Sequence, residues 1–319
     1  MAHKIVLCGA GFLGRNIAHV ICQSTRSLPR AIQVSSRHPD KTHAALLQSI
    51  PTSKLLPPVP IDVTKPESLL PAFRDAKVVV SLVGLLMGSP EDFDRIQWRG
   101  VENVARAANE VDAKLIHFSA IGADAKSDIP YMRTKGLAEQ AVFQICPSAT
   151  VIRPSLVFGP DDDLFNKFSR LSQFLPFLPV FDGGTSRFQP VFVKDIARAV
   201  EVLTRHDGSN KDVYGGKIID AGGPEVFTFR ELMNLVLRYN RRTRPIISLP
   251  LKVGMLQGAV MERLPPNLFT ITRDQLKQLT MDNVVPKSPI KNHISMRQLF
   301  EDGSLGSLTS AHEVLPLYL

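Results

Sequence analysis

Apolar residues arrive in short runs separated by stretches of helical spacing, and this alternation repeats through the first half of the chain. The runs are Lys4–Cys8, Ala31–Ser35, Val59–Ile61, Val78–Val83 and Lys114–Phe118, with a helical pattern from about Phe12 to Gln23 between the first two. Strand, helix, strand in this order predicts a parallel, doubly wound sheet. Val78-Val79-Val80 and Leu115-Ile116-His117-Phe118 are nearly continuous rather than alternating, as strands buried on both faces must be. A further strand, Ala149–Phe158, is expected to end at Gly159-Pro160.

Beyond that point proline and glycine become frequent, as in Phe174-Leu175-Pro176-Phe177-Leu178-Pro179 and Asp182-Gly183-Gly184, and the regular alternation stops. Helical patterns resume at Lys194–Thr204, Thr228–Tyr239 and Thr272–Leu279. The expected fold class is therefore α/β: a Rossmann-type doubly wound domain over residues 1–160 and a smaller C-terminal α/β domain over 161–319, for substrate or docking.

Composition narrows the classes. Hydrophobic residues make up 44% and charged residues 21% of 319, which excludes disordered and fibrous proteins. Cys8, Cys22 and Cys146 lack metal-ligand spacing and are too few for a disulfide framework, so no metal and a reducing compartment are expected. The longest apolar run, Val78 to Met87, is about half of the roughly 20 residues that a membrane span needs. With the first strand starting near His3, a cleavable targeting segment is not expected. The net charge is +8, and no nucleic-acid partner is expected. The densest basic stretch, Arg238, Arg241, Arg242 and Arg244, is either a solvated helix end or a contact for an acidic partner or anionic lipid surface. Leu249–Leu264 reads either as a helix closing the small domain or as a docking or membrane-surface helix.

The strongest chemical signal is Gly9-Ala10-Gly11-Phe12-Leu13-Gly14, directly after a strand and at the head of a helix. This G-x-G-x-x-G context points to a dinucleotide. Gly9 allows the tight turn, Gly11 lets the backbone approach the pyrophosphate, Gly14 lets helix and strand pack closely, and the helix start at Phe12 and Leu13 presents free N–H groups. At the end of the second strand, where NAD sites carry an acid, stand Ser36 and Arg37. A hydroxyl and a guanidinium suit a 2′-phosphate, so NADP(H) is favoured over NAD(H). Asp62 either reaches the adenine or caps the helix that starts near Pro66.

Tyr131 and Lys135 stand four apart on one helical face. A phenol titrates near pH 10, and a neighbouring ammonium lowers that value. With the glycine loop upstream, Y-x-x-x-K resembles the short-chain dehydrogenase/reductase family. The stretches Arg153-Pro154-Ser155-Leu156-Val157-Phe158-Gly159-Pro160 and Phe188–Ala197 are similar to its extended and atypical branch, which Asp220–Leu232, Ile271–Leu276 with Asp282–Val285, and His117–Ala123 narrow further. They resemble the subgroup of the 39-kDa accessory subunit of respiratory complex I and a fungal accessory protein of coenzyme Q biosynthesis.

The resemblance implies that residues 186–206 return to the first domain, and that Asp62, Val63, Val83, Gly84, Pro154 and Val157 line the cofactor. It also implies that Tyr131 moves the proton, Lys135 lowers its pKa and holds the nicotinamide ribose, and Ser119 orients the carbonyl. Two departures stand out. The branch's first loop glycine falls on Cys8, and its catalytic serine falls on Ile121. The implied function is an NADP(H)-binding mitochondrial accessory protein on the matrix side of the inner membrane, supporting coenzyme Q synthesis or complex I with weak or no turnover. The alternatives are an active oxidoreductase or epimerase acting on a carbonyl or quinone-type compound through Tyr131 and Lys135, and a dinucleotide-sensing regulator.

Overall fold

A computed structural model describes residues 2–25, 29–205, 212–265, 267–288 and 290–319. The chain divides into two compact units. Unit 1 comprises residues 1–154, 193–221 and 286–307; unit 2 comprises 155–192, 222–285 and 308–319.

Among the described residues, unit 1 is built on eight strands: β1 (His3–Cys8), β2 (Arg30–Ser36), β3 (Val59–Pro60), β4 (Ala76–Ser81), β5 (Lys114–Phe118), β6 (Thr150–Pro154), β7 (Ile218–Ala221) and β8 (His293–Ser295). Their order is β8-β7-β6-β5-β4-β1-β2-β3, every pairing parallel. The order reverses between β1 and β4, the crevice where open α/β sheets receive ligands. The runs of apolar residues work because both faces are covered. Val6, Val79, Leu115 and Val151 pack into one cluster with the helices Gly100–Glu110 and Pro130–Ile145, through Val101, Val104, Ala138 and Val142. The alternate residues Ile5, Leu7, Val80, Ile116 and Ile152 are just as buried. The helices Phe12–Gln23 and Val193–Leu203 pack on each other, burying Ile17, Ile21, Ile196 and Val200.

The single strand expected over Ala149–Phe158 is divided. Its first part is β6; Val157–Phe158 instead pairs with Val191–Phe192 in unit 2. Proline begins the break because it has no N–H for a ladder. Past it, the Ser155 hydroxyl donates to the Asn283 carbonyl and accepts from the Gln189 N–H, which ties the chain into unit 2. The segment 186–206 is likewise shared: 186–192 lies in unit 2 and Val193–Leu203 in unit 1, while residue 206 lies outside the described residues.

Unit 2 has an aromatic core of Phe158, Phe165, Phe168, Phe188 and Phe229, joined by Leu232 and Leu315. Its helices Phe229–Tyr239 and Arg273–Leu279 begin at Thr228 and Thr272, each closed by a reciprocal capping box with Glu231 or Gln275. Asp162 is buried and accepts from the N–H groups of Gly159, Phe165 and Asn166 and from the Tyr318 hydroxyl at 2.5 Å, which fastens the C-terminal segment.

Candidate functional site

The glycine loop leaves β1 with Gly9 at φ +140°, a conformation that favours glycine, and a Cβ there would lie 2.8 Å from Cβ of Leu82. At Gly14 a Cβ would lie 2.2 Å from the Gly9 carbonyl oxygen, so only glycine lets the helix close on the loop. Gly11 is different. Its backbone is extended, φ −83° and ψ −159°, and a Cβ would meet nothing within 4 Å. Among the described residues no side chain caps Phe12–Gln23, and no acidic residue occupies its first turn. Open space thus faces a helix start whose N–H groups and dipole favour an anion. A glycine with no intramolecular cause and an uncapped helix start fit a dinucleotide pyrophosphate. At the position of the branch's first glycine, Cys8 is buried, and burial pushes its thiol pKa up.

Ser36 is half-buried at the end of β2, and Arg37 after it is exposed. Asp62 does not cap a helix. Its carboxylate accepts from the N–H of Thr64 at 3.0 Å and from its hydroxyl at 2.8 Å, and these bonds hold its pKa below the usual carboxylate value. Val63 packs against Gly100, where a Cβ would lie 2.6 Å from Cγ2 of Val63, and its carbonyl accepts from Asn103.

Tyr131 and Lys135 lie on Pro130–Ile145, opened by proline at its first position. Lys135 is buried, and its ammonium donates to the carbonyls of Phe118 at 2.8 Å and Val83 at 3.2 Å, gathering the ends of β5 and β4. Burial lowers its pKa to about 8, against a partial upward pull from Glu139. Glu139 itself is paired with Arg153 at 2.5 Å. The expectation that Lys135 acidifies Tyr131 is not met. Burial raises the phenol pKa to about 12, while the Lys135 ammonium is bonded to the Phe118 and Val83 carbonyls.

Gly84 runs directly over this lysine: a Cβ there would lie 3.1 Å from Nζ. Ser119 is buried and its hydroxyl has no partner among the described residues; its N–H donates to Ile152. Ile121 is buried and its N–H donates to the Pro154 carbonyl, so no hydroxyl stands at that position. Val157, by contrast, belongs to unit 2.

Gln97 and His117 are not among the sequence-predicted site residues. Gln97 is fully buried; its amide donates to the Tyr131 carbonyl and the Thr134 hydroxyl, and its carbonyl accepts from the Leu85 N–H. It projects from a π-helical stretch, Phe93–Arg99, of the kind often found at functional sites, and Phe93 sets its ring edge-on to Tyr131 at 6.1 Å. His117 is fully buried, bonded to Ser81 at 3.2 Å through Nδ1, while Nε2 has no partner among the described residues. Burial first, and the Lys135 charge second, hold its pKa well below the usual value, so the imidazole is neutral. A lone polar residue inside an apolar strand gave the only hint of it.

The sequence model of the NAD dependent epimerase/dehydratase family matches residues 5–215. The chain is similar to NADH dehydrogenase [ubiquinone] 1 alpha subcomplex subunit 9, mitochondrial, of Arabidopsis thaliana, 28% identical over 298 residues, 90% of this chain and 71% of that one. It spans about half the length of several other curated relatives. It is also similar to a ceramide reductase of Caulobacter vibrioides, 30% identical over 145 residues, 45% of each chain. Among solved structures, the triphenylmethane reductase of Citrobacter sp. complexed with NADP(H) superposes with a TM-score of 0.71 at 18% identity, over 99% of this chain and all of that one.

Proposed function

The chain belongs to the NAD dependent epimerase/dehydratase family, and from that premise we propose that it is a dinucleotide-holding accessory protein of a mitochondrial inner-membrane assembly, with weak or no turnover. In this reading Gly11 and the start of Phe12–Gln23 receive the pyrophosphate of NADP(H). Ser36 and Arg37 meet the 2′-phosphate, and Tyr131 and Lys135 hold the nicotinamide ribose. The bound cofactor would supply hydride chemistry. What the chain supplies for proton transfer is poor: Tyr131 keeps its proton far above neutral pH, and isoleucine stands where the branch places its serine.

The observation that supports the reading is the Lys135 ammonium bonded to two main-chain carbonyls, together with a Tyr131 phenol that burial pushes up to about 12. Of the two assemblies, complex I is favoured by similarity to its subunit over 90% of this chain. Coenzyme Q synthesis is favoured by the subgroup motifs alone. The test is bound nucleotide and single-turnover oxidation of NADPH with quinone-type substrates, together with co-purification from mitochondria. Tight NADPH binding, negligible oxidation and recovery in one assembly are expected. Robust oxidation lost in Tyr131→Phe overturns the accessory reading.

A second reading, an active reductase on a carbonyl compound, has one observation in its favour. The Ser119 hydroxyl is buried without a partner among the described residues, in the same unit as Tyr131 and Lys135, and the Caulobacter relative is a reductase. Oxidation that requires both Ser119 and Tyr131 distinguishes it.

A further inference from the structure

We propose that the helix Leu251–Met261 and the basic segment before it form a docking face for an anionic phospholipid membrane surface. The helix has 11 residues, of which Lys252 alone is charged. A helix apolar all round is ordinarily buried all round. Here only Gly254 and Gly258 are buried. These glycines form the inward face: a Cβ at Gly254 would lie 2.5 Å from the Phe181 ring, and one at Gly258 would lie 3.1 Å from Arg273. The outward face carries Val253, Leu256 and Val260 at helical spacing, 51%, 71% and 50% exposed, continued by Leu264 past the helix end. Such a row of exposed apolar side chains marks an interaction surface.

Charge selects the occupant. From residue 238 to 265 the chain carries Arg238, Arg241, Arg242, Arg244, Lys252 and Arg263 against one acid, Glu262, which is ion-paired with Arg273. Arg241, Arg242, Lys252 and Arg263 are exposed. A second copy would bring these like charges together. A surface of anionic headgroups over acyl chains answers both features, the apolar row and the basic flank. At about 1.5 Å per residue the helix is roughly 16 Å long, so it lies in the interface and does not span it. Membrane binding here does not rest on the accessory-protein reading and would hold equally for a free reductase.

The test is flotation of the full chain with vesicles of phosphatidylcholine alone or mixed with phosphatidylserine. Salt-sensitive binding to the anionic vesicles is expected, with a roughly fivefold weaker partition for each of Arg241→Gln and Arg242→Gln. Leu256→Glu with Val260→Glu should lower it by about tenfold or more, with NADPH binding kept as the check on folding. Should that variant fail to fold, Leu256→Cys carrying an environment-sensitive dye replaces it, because the three native cysteines are buried. A blue shift on anionic vesicles is expected. No flotation, no shift, or an apolar face that controls only self-association overturns the proposal.

Discussion

Replacing Lys135 with methionine keeps most of the aliphatic stem and removes a buried ammonium. The fall of its pKa from 10.5 to about 8 corresponds to about 3 kcal/mol by which folding disfavours the charged form. Above pH 10.5 the amine is neutral in both folded and unfolded chains, and the penalty vanishes. As pH falls, the unfolded chain takes up a proton that the folded protein resists until about pH 8, so stability is lost across that window and the loss is complete below it. The variant has no such group. It instead leaves the Phe118 and Val83 carbonyls without their donor, a cost of about 1–3 kcal/mol that does not vary with pH. Between pH 8 and 10.5 the wild type should therefore gain about 3 kcal/mol relative to Lys135→Met. Urea unfolding of both proteins at fixed ionic strength measures this, with Trp98, the single tryptophan and a residue of unit 1, as the fluorescent probe. A difference that stays level across the window would refute the buried, carbonyl-held ammonium.

Gly11→Ala and Gly14→Ala separate cofactor space from folding space. Gly11→Ala should leave the melting temperature unchanged yet weaken NADPH by about tenfold or more, whereas Gly14→Ala should destabilise the fold itself, since its Cβ would strike the Gly9 carbonyl. Equal melting losses in both would refute the distinction. Arg37→Ala should weaken NADPH much more than NADH in titrations of intrinsic fluorescence; parallel losses would remove the case for a 2′-phosphate contact. Tyr318→Phe deprives buried Asp162 of a donor and should cost about 1–3 kcal/mol in chemical denaturation.

The sequence alone determined the parallel α/β class, the position of the strands from Lys4 to Phe118 and the glycine loop at the head of a helix. These are local matters. Continuous apolar runs mark strands covered on both faces, and a glycine-rich turn between strand and helix is written in adjacent residues. Tertiary structure decided what depends on atoms brought from far along the chain. Whether Lys135 faces Tyr131 or the carbonyls of Val83 and Phe118 is settled by where β4 and β5 end, and a four-residue spacing carries no record of that. Gln97 bonds residues 12 and more than 30 positions away and left no local trace. The break after Pro154 follows from Ser155 finding Asn283, 128 residues on. The outward row on Leu251–Met261 became visible only once Gly254 and Gly258 were seen to take the inward face. Periodicity records how much of a residue is buried; which atoms surround it is fixed by topology.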